Sequence, residues 1–114
     1  MADDERLKLL IAKNPKTGPI ILAKLAKELD RDIRIAVVNN PNVTPEILHS
    51  FIKDSIFSVI IAIAENQKTL PEDLAEIAKQ YENNIRIISA IINNPSTPRE
   101  VLVKLALKAC VNDW

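Results

Sequence analysis

One histidine, one cysteine and one glycine stand in a chain of 114 residues, and that scarcity removes most catalytic chemistry at the outset. His49 has no second histidine with which to hold a metal, and no nucleophile or base lies at a meaningful spacing from it. It follows Leu48, a helix core position, and reads as exposed and idle. Cys110 alone builds neither an intramolecular disulfide nor a cysteine-ligated zinc or iron–sulfur site. Gly18 alone makes no glycine-rich phosphate loop. Asp30 with Asp32, and Glu72 with Asp73 and Glu76, have the proximity that general acid–base work requires. Nothing in the sequence orients them, and loops and helix starts are ordinarily acidic. The expectation is a protein that is not an enzyme, with no catalytic residue, metal or cofactor.

Binding chemistry is better represented. Lys27, Lys53 and Lys79 recur at one slot, and Lys108 lies one residue off it, a stripe that an acidic peptide or a phosphate backbone could follow. Glu46, Glu72 and Glu100 also share a slot, near the start of the same helices. Acid at a helix start and base at its end is what the macrodipole favours. Fifteen basic residues oppose fifteen acidic ones, and the halves balance at nine against eight and six against seven. Phosphate binding ordinarily shows a basic excess, so nucleic acid is the second reading and a protein partner the first.

The slots exist because the chain repeats. Aligned on Asn14, Asn40, Asn66 and Asn94, the copies are spaced 26, 26 and 28 residues apart, the period of stacked supersecondary units. Seven, four and three residues before each asparagine stand Leu7, Leu10, Ile11; Ile33, Ala36, Val37; Val59, Ala62, Ile63; and Ile87, Ala90, Ile91. Eight, eleven and twelve after it stand Leu22, Leu25, Ala26; Leu48, Phe51, Ile52; Leu74, Ile77, Ala78; and Leu102, Leu105, Ala106. Both sets have helical spacing. The β-branched content of the first set also suits a buried strand. Recurrent alanine, the lack of alternation and the lack of hairpin glycines decide for helix.

Each copy therefore reads as a short helix A, a tight corner and a longer helix B, over residues 7–32, 33–58, 59–86 and 87–114. The asparagine should close helix A in the left-handed conformation it tolerates, with a following proline preventing continuation. Thr69 with Glu72 and Thr97 with Glu100 have capping-box spacing, and Thr44 before Pro45 is a cap with proline at the first helical position. The asparagine ladder itself reads as structural, since corner amides and carbonyls need partners. Leu48, Phe51, Ala62, Ile63, Leu74, Ile77 and Ile91 should form the central core.

"IRIAVVNNPNVTPEIL", residues 33–48, resembles the variant leucine-rich repeat, as do Asn94, Pro95, Thr97, Glu100, Val101, Leu102, Leu105 and Ala106. The likeness is strong in copies two and four and looser in one and three, where Gln67 breaks the Asn-Pro pair; in copy four Arg99 replaces the second proline. It implies an all-α, right-handed α-solenoid of four two-helix repeats, alternating α with short 3₁₀-like helices, and a non-enzymatic scaffold for protein–protein interaction. An Armadillo/HEAT-like helical solenoid is the close alternative.

Two further expectations concern context. "MADDERLKLL" is acidic where a signal peptide is basic, and the longest apolar run, "VIIAIA" at 59–64, is far below a membrane span of about 18 residues. A cytoplasmic protein with no membrane partner follows. End copies of a repeat stack expose a face that internal copies bury. Leu9, Leu10, Leu107, Val111 and Trp114 near the two ends therefore suggest a homodimer through the terminal repeats.

Overall fold

A computed structural model describes residues 2–112, and among them the protein is all-helical with no strand. The helices are α1 Ala2–Lys13, α2 Pro19–Leu25, α3 Arg31–Asn39, α4 Pro45–His49, α5 Phe57–Glu65, α6 Pro71–Gln80, α7 Ile85–Asn93 and α8 Arg99–Asn112. Odd-numbered helices are the A helices and even-numbered ones the B helices. α1 packs on α3, α3 on α5 and α5 on α7, so the A helices form one continuous row, with B helices packed beside them. The molecule is elongated, 55 × 22 × 17 Å.

Local chemistry starts the helices. Thr44 accepts from the Ile47 N–H at 3.2 Å with Pro45 in the first turn. Asp30 caps α3 by accepting from Asp32 and Ile33, and Asn84 caps α7 by accepting from Arg86 and Ile87. Each satisfies amide donors that a helix start leaves without intrahelical partners.

Three local expectations are corrected. No described non-glycine residue has a positive φ, and Asn40, Asn66 and Asn94 are extended, with φ of −71°, −83° and −83°. The asparagine stops helix A by turning the chain outward, and its side chain closes the corner. The capping boxes do not form. Leu70 precedes α6 in the cap position without a side-chain bond, and Thr69 Oγ1 instead donates backwards to the Ile63 carbonyl at 2.7 Å. Thr97 does the same to Ile91 and Thr17 to Ile11, both at 2.6 Å. These threonines share one repeat position and give a second donor to carbonyls at the end of helix A that already accept from the asparagine amides, rather than serving the orphan amides of helix B. Finally, helix B is longer than helix A only in copies three and four, with 10 against 9 and 14 against 9 residues. In copies one and two it is shorter, with 7 against 12 and 5 against 9. After α4 the chain continues in i→i−3 bonds, Phe51 to Leu48 and Ile52 to His49.

The seven expected core residues are all buried. Val37, Ile63 and Ile91 of the A row meet Leu22, Leu48 and Leu74 of the B helices in one apolar cluster. Burial of a leucine or isoleucine contributes about 1.5–3 kcal/mol, which is what holds successive copies together.

Candidate functional site

The asparagine ladder joins each copy to the one before it. Asn40 Nδ2 donates to the Ala12 and Asn14 carbonyls at 2.8 and 2.9 Å, and Asn94 Nδ2 donates to Ala64 and Asn66 at 2.7 and 2.9 Å. Asn66 Nδ2 reaches Val38 at 2.9 Å. Each Oδ1, that of Asn14 included, accepts from the amide two residues on, at 2.8–2.9 Å. The residue at that second position reaches the preceding corner as well. Asn42 donates to Pro15 and Thr17, Lys68 to Pro41 and Val43, and Ser96 to Gln67. Asn40 and Asn94 are buried, and their amides are fully employed in the frame. They have nothing left to offer a ligand.

One groove recurs along the A row. A groove of about 340 Å³ separates α1 from α3, lined by Leu9, Lys13, Asp32, Ile35, Asn39 and Asn40 among others. A second, of about 220 Å³, is lined by Glu65, Arg86, Ser89, Asn93 and Asn94. In repeat register these are the same place, one between copies one and two and one between copies three and four. A half-buried apolar row, Leu9, Ile35 and Ile61, follows the axis of the molecule. Two exposed rows flank it: Lys13, Asn39, Glu65, Asn93 and Arg6, Asp32, Ser58, Arg86. Both rows change character at every copy.

The lysine slot lies on the B helices. Lys27, Lys53 and Lys79 are exposed. Lys108 sits 3.6 Å from a Glu82 carboxylate oxygen and donates to Asn83 Oδ1 at 3.3 Å. Where α6 faces α8, a hollow of about 490 Å³ carries Lys79, Lys104 and Lys108 against Glu72, Glu76 and Glu82. Three positive and three negative groups leave no net field there to gather phosphate.

Two charged constellations have no local signal in the sequence. His49 is not idle: its Nδ1 lies 2.9 Å from both oxygens of Asp73, whose side chain is 4% exposed against 60% for the imidazole. A carboxylate only accepts, so Nδ1 carries the donated proton. Glu46, Leu70 and Glu72 line the shallow hollow of about 230 Å³ beside the pair. Among the described residues no group of His, Cys, Asp and Glu is suited to hold a metal. The second constellation is a pair of repeat-related ion pairs, each spanning 20 residues. Lys8 Nζ meets Glu28 at 3.0 Å, and Arg34 Nε lies 3.0 Å from Asp54 Oδ2. The Glu28 hydrogen bond raises the Lys8 pKa above its ordinary value. The Arg34 Nε proton is not aimed at any acceptor. Its Nη1 donates to the Glu28 and Leu29 carbonyls, and Nη2 to Asp54 Oδ1. Comparing the slot six before the asparagine with the slot fourteen after it pairs Lys8 with Glu28 and Arg34 with Asp54. In the later copies Ile60 and Ile88 fill the first slot and are buried.

No described helix is long and apolar enough to cross a membrane. No family model, curated protein or solved structure matches this chain.

Proposed function

We propose that the chain is a non-enzymatic helical-repeat scaffold, a right-handed solenoid of four variant leucine-rich-repeat-like copies, which binds an extended segment of a protein partner along its A row. The observation that carries this reading is the recurrence of one groove at one repeat position, 220–340 Å³ in volume. A floor of Leu9, Ile35 and Ile61, with Ser89 in the fourth place, runs between polar rims that differ from copy to copy. The apolar floor of the first three copies suits alternate apolar side chains of a segment, while rims such as Lys13, Asn39, Glu65 and Asn93 give each position its own preference. The nucleic-acid reading has the exposed Lys27, Lys53 and Lys79 in its favour, but zero net charge and the acids facing Lys79 weigh against it.

The test is selection of binders from a random peptide library displayed on phage, followed by titration of synthetic winners against variants. Ile35→Arg and Asn39→Ala should each weaken binding about tenfold or more, as loss of a floor or rim contact implies. Lys27→Ala, Lys53→Ala and Lys79→Ala should leave it unchanged. Peptides that bind equally well to the Ile35→Arg protein refute the A-row site. Salt-sensitive oligonucleotide binding that the three lysine variants abolish would put the alternative in its place.

A further inference from the structure

The corner hydrogen bonds between copies have a direction. At every internal junction the later copy supplies side-chain donors, at the asparagine and two residues after it, and the earlier copy supplies backbone carbonyls. The acceptors lie two before the asparagine and at it, then one and three after it: Ala12, Asn14, Pro15 and Thr17 receive Asn40 and Asn42. Lys68 reaches Pro41 and Val43 in the same register. Carried one step further, this register pairs Asn14 Nδ2 and Lys16 Nζ of a copy one with the carbonyls of Ile92, Asn94, Pro95 and Thr97 of a copy four. Among the described residues neither Asn14 Nδ2 nor Lys16 Nζ bonds to any acceptor, and no side chain bonds those four carbonyls. Lys16 is the same residue type as Lys68 at the same position.

The apolar columns agree. In copies two to four the slots seven and three before the asparagine are at most 1% exposed, whereas Leu7 and Ile11 of copy one are 58% and 38% exposed. Eight after it, Leu22, Leu48 and Leu74 are fully buried while Leu102 of copy four is 37% exposed. Copy one thus presents the face that internal copies use to sit on their predecessor. Copy four presents the face on which a successor sits.

We propose that these two faces bind each other, so that second copies of this chain add head to tail and continue the row of A helices. A donor-rich face pairs with an acceptor-rich one, whereas copy one meeting copy one would set donors against donors. The contact is therefore heterologous and extends without closing, and it differs from the homodimer that the apolar ends suggest in the sequence. It rests on the junction register and the apolar columns, and stands independently of peptide binding in the A-row grooves.

Sedimentation equilibrium over a roughly hundredfold range of concentration tests it. The mass of the wild-type chain should climb from 12.7 kDa past the dimer without a plateau. Leu10→Glu, on a residue 59% exposed, blocks the copy-one face, and Leu102→Glu blocks the copy-four face. Each variant alone should stay monomeric, and an equal mixture should form a dimer and stop there, through the one intact face of each. Asn14→Asp keeps the oxygen that accepts from Lys16 and replaces the donor, and should weaken association about tenfold. Helical circular dichroism checks that each variant folds. Should Leu102→Glu unfold, the wild-type mass curve and Leu10→Glu still decide. A wild-type chain that remains monomeric throughout, or either blocked variant that dimerises alone, overturns the proposal.

Discussion

Replacing Asn40 with alanine separates a structural ladder from a decorative one. Asn40 is 3% exposed and makes three side-chain bonds: two donated, to Ala12 and Asn14, and one accepted from Asn42. The Asn14 carbonyl keeps the Thr17 amide, at 3.0 Å, so it is not orphaned. The Ala12 carbonyl lies in the last turn of α1, beyond reach of an intrahelical donor, on a residue with no exposure. Orphaning such a group costs about 1–3 kcal/mol, and losing the bond from Asn42 adds about 0.5–1.5, giving a total of about 1.5–4.5 kcal/mol. Asn14 is the internal control, because it is exposed and its side chain makes only the accepted bond, from Lys16. Its replacement by alanine should cost no more than about 1.5 kcal/mol. Urea unfolding followed by circular dichroism and by tryptophan-independent hydrogen exchange gives both values and tests whether the repeats unfold together. Equal losses for Asn40→Ala and Asn14→Ala would refute the assignment of the inter-copy bonds as the source of stability.

Two further outcomes follow from the packing. Leu74, fully buried between copies, should cost about 2–5 kcal/mol when cut to alanine, read from the same urea transitions; a loss under about 0.5 kcal/mol would place it on the surface. Thr69→Val removes the hydroxyl that donates to Ile63 and should cost about 0.5–1.5 kcal/mol, while Glu72→Ala should stay within about 0.5 kcal/mol of wild type; the opposite ranking would mean that a capping box forms after all.

The columns legible in the sequence are those where the physics is periodic. Helical spacing is written locally, so the apolar slots around each asparagine, and with them Leu48, Ile63 and Ile91 as core, follow from the repeat. The threonine role is not legible in that way. Thr69 before Glu72 satisfies the capping-box pattern whichever way its hydroxyl turns, and the Ile63 carbonyl that captures it is positioned by the corner rather than by any neighbour in sequence. Copy two shows the same point from the other side, since buried Val43 occupies the threonine slot. His49 with Asp73 and Arg34 with Asp54 escape for a different reason. They span 24 and 20 residues; a comparison of slots across copies finds Arg34 with Asp54 through Lys8 with Glu28, whereas His49 and Asp73 recur in no other copy and only the fold brings them together. The left-handed asparagine fails because extended backbone also ends a helix, and the inter-copy bonds of the side chain select it.

A division of labour among polar residues bears on where ligand recognition resides. The amides of the buried ladder asparagines Asn40 and Asn94 and the hydroxyls of the corner threonines Thr17, Thr69 and Thr97 are engaged inside the molecule. A residue whose donors and acceptors are already paired adds nothing to binding unless the frame is broken first. In the proposed complex, recognition would then use positions that the frame leaves unpaired, and on the A row these are the two exposed rims. Along one rim the order is basic, neutral, acidic, neutral; along the other it is basic, acidic, neutral, basic. A partner seated one copy out of register would set its charges against different rim residues at each copy. The apolar row of Leu9, Ile35 and Ile61 would accept either register, so in the proposed complex the floor would supply affinity and the rims the choice of register.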